Sequence, residues 1–240
     1  MKKSILFPIT LFLISSLMTY AEDFHGRNYE VKCGNFNELK VKNAIPVRYV
    51  FCSDSIGIAT FTADDSVAQA LVFENKRGKL TLSLVPRTYG RDHFIPVVTV
   101  RSNSLVTVTN EGDSTVIIEN VPDIPVFNVK LVGNGNIVVR DVTATEIKAS
   151  INLGGGNLTI NGSCNTAVLN NMGTGTLQAG NLISENVKCR LGGTGNVDCS
   201  AEKNLSVSGV GSGTVYYAGS PETIIKRSIG IKTVDVSSVE

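Results

Sequence analysis

The stretch RLGGTGNVDCS, residues 190–200, places three glycines, an asparagine and an aspartate within a few positions of one another. Glycine backbones can cradle a phosphate, and Asn and Asp oxygens can bind calcium, but the same residue types also build tight turns. A phosphate loop opens a helix between two strands, whereas strand-like sequence flanks this stretch on both sides. Calcium-binding glycine repeats recur every nine residues, and Asp198 is the one acid close by. The flanking sequence therefore favours a structural turn.

Further glycine-rich turns show that this stretch is one member of a repeat. The five are VGNGN (132–136), LGGGN (153–157), MGTGT (172–176), GGTGN (192–196) and VGSGT (210–214). Their last glycines are separated by 21, 19, 20 and 18 residues. A period near 20 in a sequence of β-type composition predicts a solenoid, in which each repeat forms one coil.

Apolar side chains fall into columns when the repeats are aligned. Two residues after the last glycine of each turn, the column is Ile137, Leu158, Leu177, Val197 and Val215. Four residues after it, the column is Val139, Ile160, Ala179, Cys199 and Tyr217. Before the turns the two columns are Phe127, Ile147, Ala167, Val187, Leu205 and Val129, Ala149, Leu169, Cys189, Val207. Mostly polar or unlike residues separate these positions, as in a half-buried strand. We therefore expect residues 127–217 to form at least five coils around a continuous aliphatic core.

A column of Asn and Thr follows the last glycine of each turn. Its members are Asn136, Asn157, Thr176, Asn196 and Thr214. Stacked coils would place these side chains above one another, where amides hydrogen-bond along the stack, and the neighbouring glycines would supply positive φ angles. We interpret the column as a structural turn ladder. With two histidines and no Cys-x-x-Cys pair in the chain, we predict neither a metal site nor a cofactor.

Residues 1–21, MKKSILFPITLFLISSLMTYA, have the pattern of a secretory signal peptide. Two lysines precede a short apolar run, and Thr19 and Ala21 suit a cleavage site, which would leave Glu22 as the new N-terminus. Removal of Lys2 and Lys3 leaves 20 basic and 21 acidic side chains. This balance gives no whole-molecule attraction for nucleic acid, and we expect no membrane span after cleavage.

The remaining chain divides near VPDIP, residues 121–125. We expect residues 22–126 to form a less regular β-rich part of the solenoid, in which 64–76 is the one segment that could form a helical turn. We expect residues 127–240 to contain the regular coils and a C-terminal cap.

The five cysteines differ in their surroundings. Cys33 and Cys52 are 19 residues apart, the length of one coil, which predicts a disulfide between stacked neighbours. Cys189 and Cys199 fall in apolar columns, where they would act as small buried side chains. Cys164 falls beyond the end of its expected strand and is the candidate free thiol.

The segment PRTYGRDHFIP, residues 86–96, is bounded by prolines and predicts an exposed loop. Tyr89, Arg91, His93 and Phe94 combine aromatic rings with cations there, which suits contact with a sugar or a peptide. An ordinary solvated loop would have the same composition, so both interpretations stand.

Catalysis would need a different set of residues. Glycoside hydrolysis generally uses two carboxyl groups about 5–9.5 Å apart. The outward column after the turns has one carboxyl group, that of Asp198, which falls between Gln178 and Tyr216 on the adjacent coils. The remaining candidates are Asp123, Arg140 and Asp141 at one coil edge. Because these residues do not form a recognisable cluster, we assign no catalytic residue.

Four elements of the sequence belong together: NFNELKVKNAIPVRYVF, the KLTLSLV strand, the Gly-x-Gly-Asn turns and the closing VYYAGSPETIIKRSIG, which cover most of residues 36–232. In this combination the chain resembles the family of putative auto-transporter adhesins with a head GIN domain. The resemblance implies an all-β, right-handed parallel β-helix exported to the periplasm or surface of a Gram-negative bacterium, without known catalytic residues.

Together these observations predict a non-catalytic exported β-helix protein. It would serve as an adhesin-like binding module or a scaffold at the cell envelope, with a glycan or an envelope protein as partner and no nucleic acid. The alternative is a polysaccharide-cleaving lyase or hydrolase on the same fold.

Overall fold

Alternating apolar and polar residues form strands through most of the part of the chain that the structure describes, which folds into an all-β solenoid of about six turns. Of these described residues, 66% are in strands and 3% in a helix. The computed structural model describes residues 26–85 and 94–237. The parallel β-helix expected from the glycine period and the apolar columns is therefore confirmed. Within the described residues, no helix has the length and apolar character needed to cross a membrane.

The N-terminal part contains short strands and one helical segment. These are β1 (Arg27–Lys32), β2 (Glu38–Val41), β3 (Val47–Phe51), β4 (Ile58–Ala63), α1 (Asp65–Ala70), β5 (Leu71–Lys76), β6 (Lys79–Leu84), β7 (Val98–Ser102), β8 (Thr107–Asn110) and β9 (Thr115–Ile118). The longer strands follow. They are β10 (Val121–Leu131), β11 (Asn136–Ile151), β12 (Asn157–Asn171), β13 (Thr176–Leu191), β14 (Asn196–Val210), β15 (Thr214–Ala218), β16 (Thr223–Ile229) and β17 (Lys232–Asp235).

These strands belong to one hydrogen-bonded sheet that winds into three walls. Wall A stacks residues 38–41, 107–110, 128–131, 148–151, 168–171, 188–191, 206–209 and 225–228 in parallel register. Wall B stacks residues 47–49, 116–118, 137–139, 158–159, 177–179, 197–199, 215–217 and 233–235. Wall C stacks residues 121–126, 142–146, 162–166, 182–186 and 200–204. Strands β11 to β14 run from wall B through wall C to wall A.

The first coils are not stacked in chain order. Strand β2 lies between β6 and β8, and β3 lies between β7 and β9, all in parallel register. The coil containing β6 and β7 is therefore the outermost one at this end, although it follows β2 and β3 in the chain. Parallel coils thus occur on both sides of the boundary expected between residues 126 and 127.

Antiparallel strands cap this outermost coil. Strand β5 pairs with β6, β4 pairs with β7, and β1 pairs with β4. Segment α1 covers part of the core end by burying Val67 and Ala70, and it is the helical turn expected within residues 64–76. We call β1, β4, α1 and β5 the N-terminal cap.

The four predicted apolar columns point inward and form the core. Their members are buried, apart from Tyr217, which is partly exposed near the C-terminal end. Burial of one such aliphatic side chain contributes about 1.5–3 kcal/mol before conformational entropy is counted. Among the described residues, four buried side chains are polar. Two of them, Asn110 and Asn171, lie beneath turns, and each Nδ2 donates to two backbone carbonyls. Neither asparagine was predicted from the sequence to be buried.

The turn glycines are required for a reason other than the one expected. Within the five glycine-rich turns, only Gly154 has a positive φ. Two glycines of each turn form two columns in which a Cβ would meet a backbone carbonyl oxygen of the preceding coil, in most cases that of a glycine. A Cβ on Gly175 would lie 1.9 Å from the Gly156 oxygen, and one on Gly213 would lie 2.0 Å from the Gly195 oxygen. The prediction of positive φ was therefore wrong for most of these turns, where close backbone stacking selects glycine.

One carboxyl group is partly buried on the outside of wall B. Asp198 lies in register between Gln178 and Tyr216, and burial raises its pKa. Folding therefore favours the protonated acid. The stability that protonated Asp198 contributes is fully present below the pKa that this carboxyl group has in the unfolded chain. It is lost as the pH rises through the higher pKa that the group has in the folded protein.

We expect Gly175→Ala to lower the free energy of unfolding by about 3 kcal/mol or more, because the added methyl group meets a fixed carbonyl oxygen. Gly180→Ala is the matched control, since no non-neighbouring atom lies within 4 Å of a Cβ added at Gly180, which is on the strand that follows this turn. Its effect should remain within about 0.5 kcal/mol. Urea unfolding of both variants measures the difference, and equal effects would contradict the stacking explanation.

We expect Asp198→Asn to raise the melting temperature at pH 7, because asparagine removes the cost of burying a charged carboxylate. The advantage should disappear near pH 3, where both forms are neutral. Thermal melts over this pH range test the prediction, with Asp141→Asn at an exposed position as the control for the same change of charge. An advantage that persists at pH 3 would refute the assigned cause.

Candidate functional site

The predicted binding loop lies mostly outside the described residues. This applies to Tyr89, Arg91 and His93, whereas Phe94 is described and its side chain is 74% exposed. Val97, three residues further on, lines a groove on the outer face of the N-terminal cap together with Thr60, Thr62 and Thr99. A binding role for the loop stays a prediction.

The Asn and Thr column lies at the start of wall B. Asn136, Asn157, Thr176 and Asn196 are in register on successive coils. The Asn157 backbone N–H donates to the Asn136 side chain at 3.3 Å, and the Thr214 N–H donates to Asn196 at 3.0 Å. These contacts join neighbouring coils at two of the four steps along the column.

Cys33 and Cys52 are free thiols, so the predicted disulfide is not formed. Their spacing does not correspond to one coil, because β1 runs antiparallel in the N-terminal cap. The Cys33 N–H donates to Gly57, whereas the Cys52 N–H donates to Ser102. Burial raises the pKa of Cys33 to about 11, which disfavours its reactive thiolate.

The other three cysteines are buried free thiols. Cys164 lies within β12, not beyond a strand end as expected, and its sulfur contacts the Ser184 hydroxyl at 3.3 Å. The sulfurs of Cys189 and Cys199 are 3.9 Å apart across the core. This contact, together with burial, raises the pKa of Cys189.

The candidate catalytic residues have separate contacts. Arg140 forms an ion pair with Glu119 at 3.2 Å, and Arg48 contacts the same carboxylate at 2.6 Å. Asp123 instead lines a shallow groove on wall C with Glu185 and Glu202. In residues 26–85 and 94–237, no three His, Cys, Asp or Glu side chains lie close enough together to hold a metal ion.

An aromatic stack lies at the end of the core, inside the N-terminal cap. The rings of Tyr29 and Phe61 are 5.3 Å apart at 15°, and those of Phe61 and Phe73 are 5.8 Å apart at 16°. Tyr29 and Phe61 are paired on β1 and β4, and Phe73 extends from β5. The antiparallel cap is the last layer at this end of the described residues, and none of their coils covers this apolar surface.

A cleft of about 540 Å³ opens beside the stack, and we call it the aromatic cleft. Its apolar lining is formed by Tyr29, Val31, Phe61, Ala68, Leu71 and Phe73. Its volume falls within the range of about 300–1,000 Å³ typical of small-molecule sites. This site was not predicted from the sequence, because its residues come from four separate elements, β1, β4, α1 and β5. The apolar alternation around Tyr29 and Phe73 was the available signal.

Polar groups surround the mouth of the aromatic cleft. Arg27, Asp65 and Gln69 line it. The Tyr29 hydroxyl donates to Asp65 at 2.5 Å, and Arg27 lies 3.6 Å from the same carboxylate. The hydrogen bond to Asp65 raises the pKa of Tyr29. An apolar floor with a charged rim suits an amphipathic ligand.

Several solved structures share this fold. A putative adhesin from Bacteroides fragilis has a TM-score of 0.81 at 22% identity, covering 88% of this chain and 96% of that one. A putative lipid binding protein from Parabacteroides distasonis gives 0.71 at 20%, with the same coverages. A putative adhesin from Parabacteroides merdae gives 0.66 at 19%, again covering 88% and 96%. At these identities the likeness concerns the fold alone.

No curated protein matches the chain. The family described as "Putative auto-transporter adhesin, head GIN domain" matches residues 35–221, which include the whole set of glycine-rich turns. The chain therefore belongs to this family of putative auto-transporter adhesins with a head GIN domain.

Proposed function

We propose that this protein is an exported, non-catalytic binding module of the cell envelope, and that its ligand inserts an acyl chain into the aromatic cleft. The observation that carries the proposal is the Tyr29–Phe61–Phe73 stack lining an open apolar cleft. Membership of an adhesin family and the signal-like N-terminus support export and binding.

The chemistry of the aromatic cleft favours an apolar chain with a polar end. Burial of apolar ligand surface is favourable by about 25 cal/mol per Å², and the stacked rings provide that surface in a fixed position. Arg27, Asp65 and Gln69 at the mouth can hydrogen-bond to a polar head group. The related fold of a protein described as a putative lipid binding protein adds support for this ligand class.

Polysaccharide cleavage receives no support from the geometry of the candidate residues. Arg140 is paired with Glu119, while Asp123 lies in the wall C groove. A lyase or hydrolase would bring acid, base and substrate groups to one place.

Titration with fluorescently labelled palmitate tests the proposal on the mature chain, residues 22–240. We expect saturable binding by the wild type and a dissociation constant at least about tenfold higher for Ala68→Phe, because the added ring would fill the cleft. Ser66→Phe adds the same ring at an exposed position of α1 and should leave binding unchanged.

The proposed ligand class is wrong if the wild type does not bind the probe. Equal loss of binding in both variants would mean that the cleft is not the binding site. Circular dichroism of each variant verifies that the fold is kept.

A further inference from the structure

The outer surface of wall A has an unusual charge pattern. Two of its outward columns run along the coils from β8 to β16. The first column contains, in register, Thr107, Asn128, Lys148, Val168, Lys188, Ser206 and Ile225. The second contains Thr109, Lys130, Ser150, Asn170, Arg190, Ser208 and Arg227. Five of these side chains are basic and none is acidic, in a chain whose total charge is close to zero.

We call the five cations the basic ladder: Lys130, Lys148, Lys188, Arg190 and Arg227. All five are exposed. Lys148 contacts Glu146 at 2.9 Å, whereas the other four form no ion pair with any described residue. Unpaired, exposed cations on one surface produce a positive potential that attracts an anionic partner.

The basic ladder is long and regular. Its cations lie on coils that are stacked about 4.8 Å apart, so the ladder extends about 24 Å from the Lys130 coil to the Arg227 coil. Two depressions lie along it. The first is at the Lys130 end, where Thr109 and Asn128 also line it, and it contains the ion pairs Lys40–Glu111 and Lys79–Glu38, in which each acid is paired with a lysine. The second is lined by Lys188, Arg190, Asn170, Ser206 and Ser208.

The opposite charge is concentrated elsewhere. Asp123, Glu185 and Glu202 line the wall C groove, where Lys203 pairs with Glu185 at 3.0 Å. The net charge of the chain is therefore close to zero although wall A carries the basic ladder and the wall C groove is acidic. The net charge alone could not indicate this separation, because it depends on which side chains lie on the same wall.

We propose that wall A binds a linear anionic polysaccharide along the solenoid axis. The basic ladder would pair with carboxylate or sulfate groups along the polymer. The Ser, Thr and Asn side chains between the cations would hydrogen-bond to sugar hydroxyls. This second binding surface goes beyond the lipid ligand proposed for the aromatic cleft and does not depend on it.

A polysaccharide fits this wall better than a membrane surface does. Interfacial membrane binding needs large apolar side chains beside the cations, but polar side chains occupy most positions between those of the basic ladder. Val168 is partly buried, and Ile225 lies at the terminal coil. A groove of alternating cations and hydroxyl or amide groups matches a hydrophilic polymer.

Polygalacturonate, which has one carboxylate per sugar, is a suitable probe for the mature chain. We expect saturable binding that weakens as salt is added, and no binding to the fully methyl-esterified polymer, which lacks the charges. The double variant Lys188→Gln/Arg190→Gln should weaken binding about tenfold, because it removes two adjacent cations. Lys32→Gln/Lys203→Gln makes the same change in net charge away from wall A and should bind as the wild type does.

The proposal is overturned if the wild type does not bind polygalacturonate, if the esterified polymer binds equally well, or if both double variants lose affinity equally. Binding to phosphatidylglycerol vesicles without binding to the polymer would assign the ladder to a membrane surface instead. Palmitate titration of the same variants distinguishes polymer binding at the basic ladder from ligand binding in the aromatic cleft. Removal of the ladder cations should leave palmitate binding unchanged.

Discussion

Direct contact between the backbones of successive turns is the constraint on which the rest of the structure depends. Two glycines of each turn lie against carbonyl oxygens of the coil before it, as Gly156 does against Gly135 and Gly175 against Gly156, where a Cβ would lie within 2.0 Å. This contact fixes the relative position of neighbouring coils. The inward columns therefore meet as a continuous core, and the outward columns become straight ladders of polar or charged groups.

The apolar core of a solenoid must also be closed at both terminal coils, and the two ends of this protein do so differently. At the C-terminal end, Lys226 and Thr233 occupy the inward positions that Val207 and Val215 occupy one coil earlier. An inward-pointing charge on a terminal strand discourages pairing with another chain. At the N-terminal end the antiparallel cap leaves an aromatic surface beside a cleft, which is why we propose a ligand site there.

The sequence predicted the regular coils because their pattern is local: one glycine period and one alternation define each repeat. It could not predict the position of β2 between β6 and β8, because that order depends on contacts between distant segments. The Cys33–Cys52 spacing was misinterpreted for the same reason. The aromatic cleft combines four separate elements and was also missed. The basic ladder could have been found, since aligning the repeats places Lys148 and Lys188 in one column.

Native-state hydrogen exchange of the turn amides tests the central claim most directly. The Gly195 N–H donates to Gly173 at 3.2 Å, and the Asn196 N–H donates to Gly175 at 3.3 Å. If turns stack on turns, these amides should be protected as strongly as those of the wall strands, since they open only when coils separate. Exchange at the rate of exposed loops would show that the turns are not packed on one another, and would contradict the account.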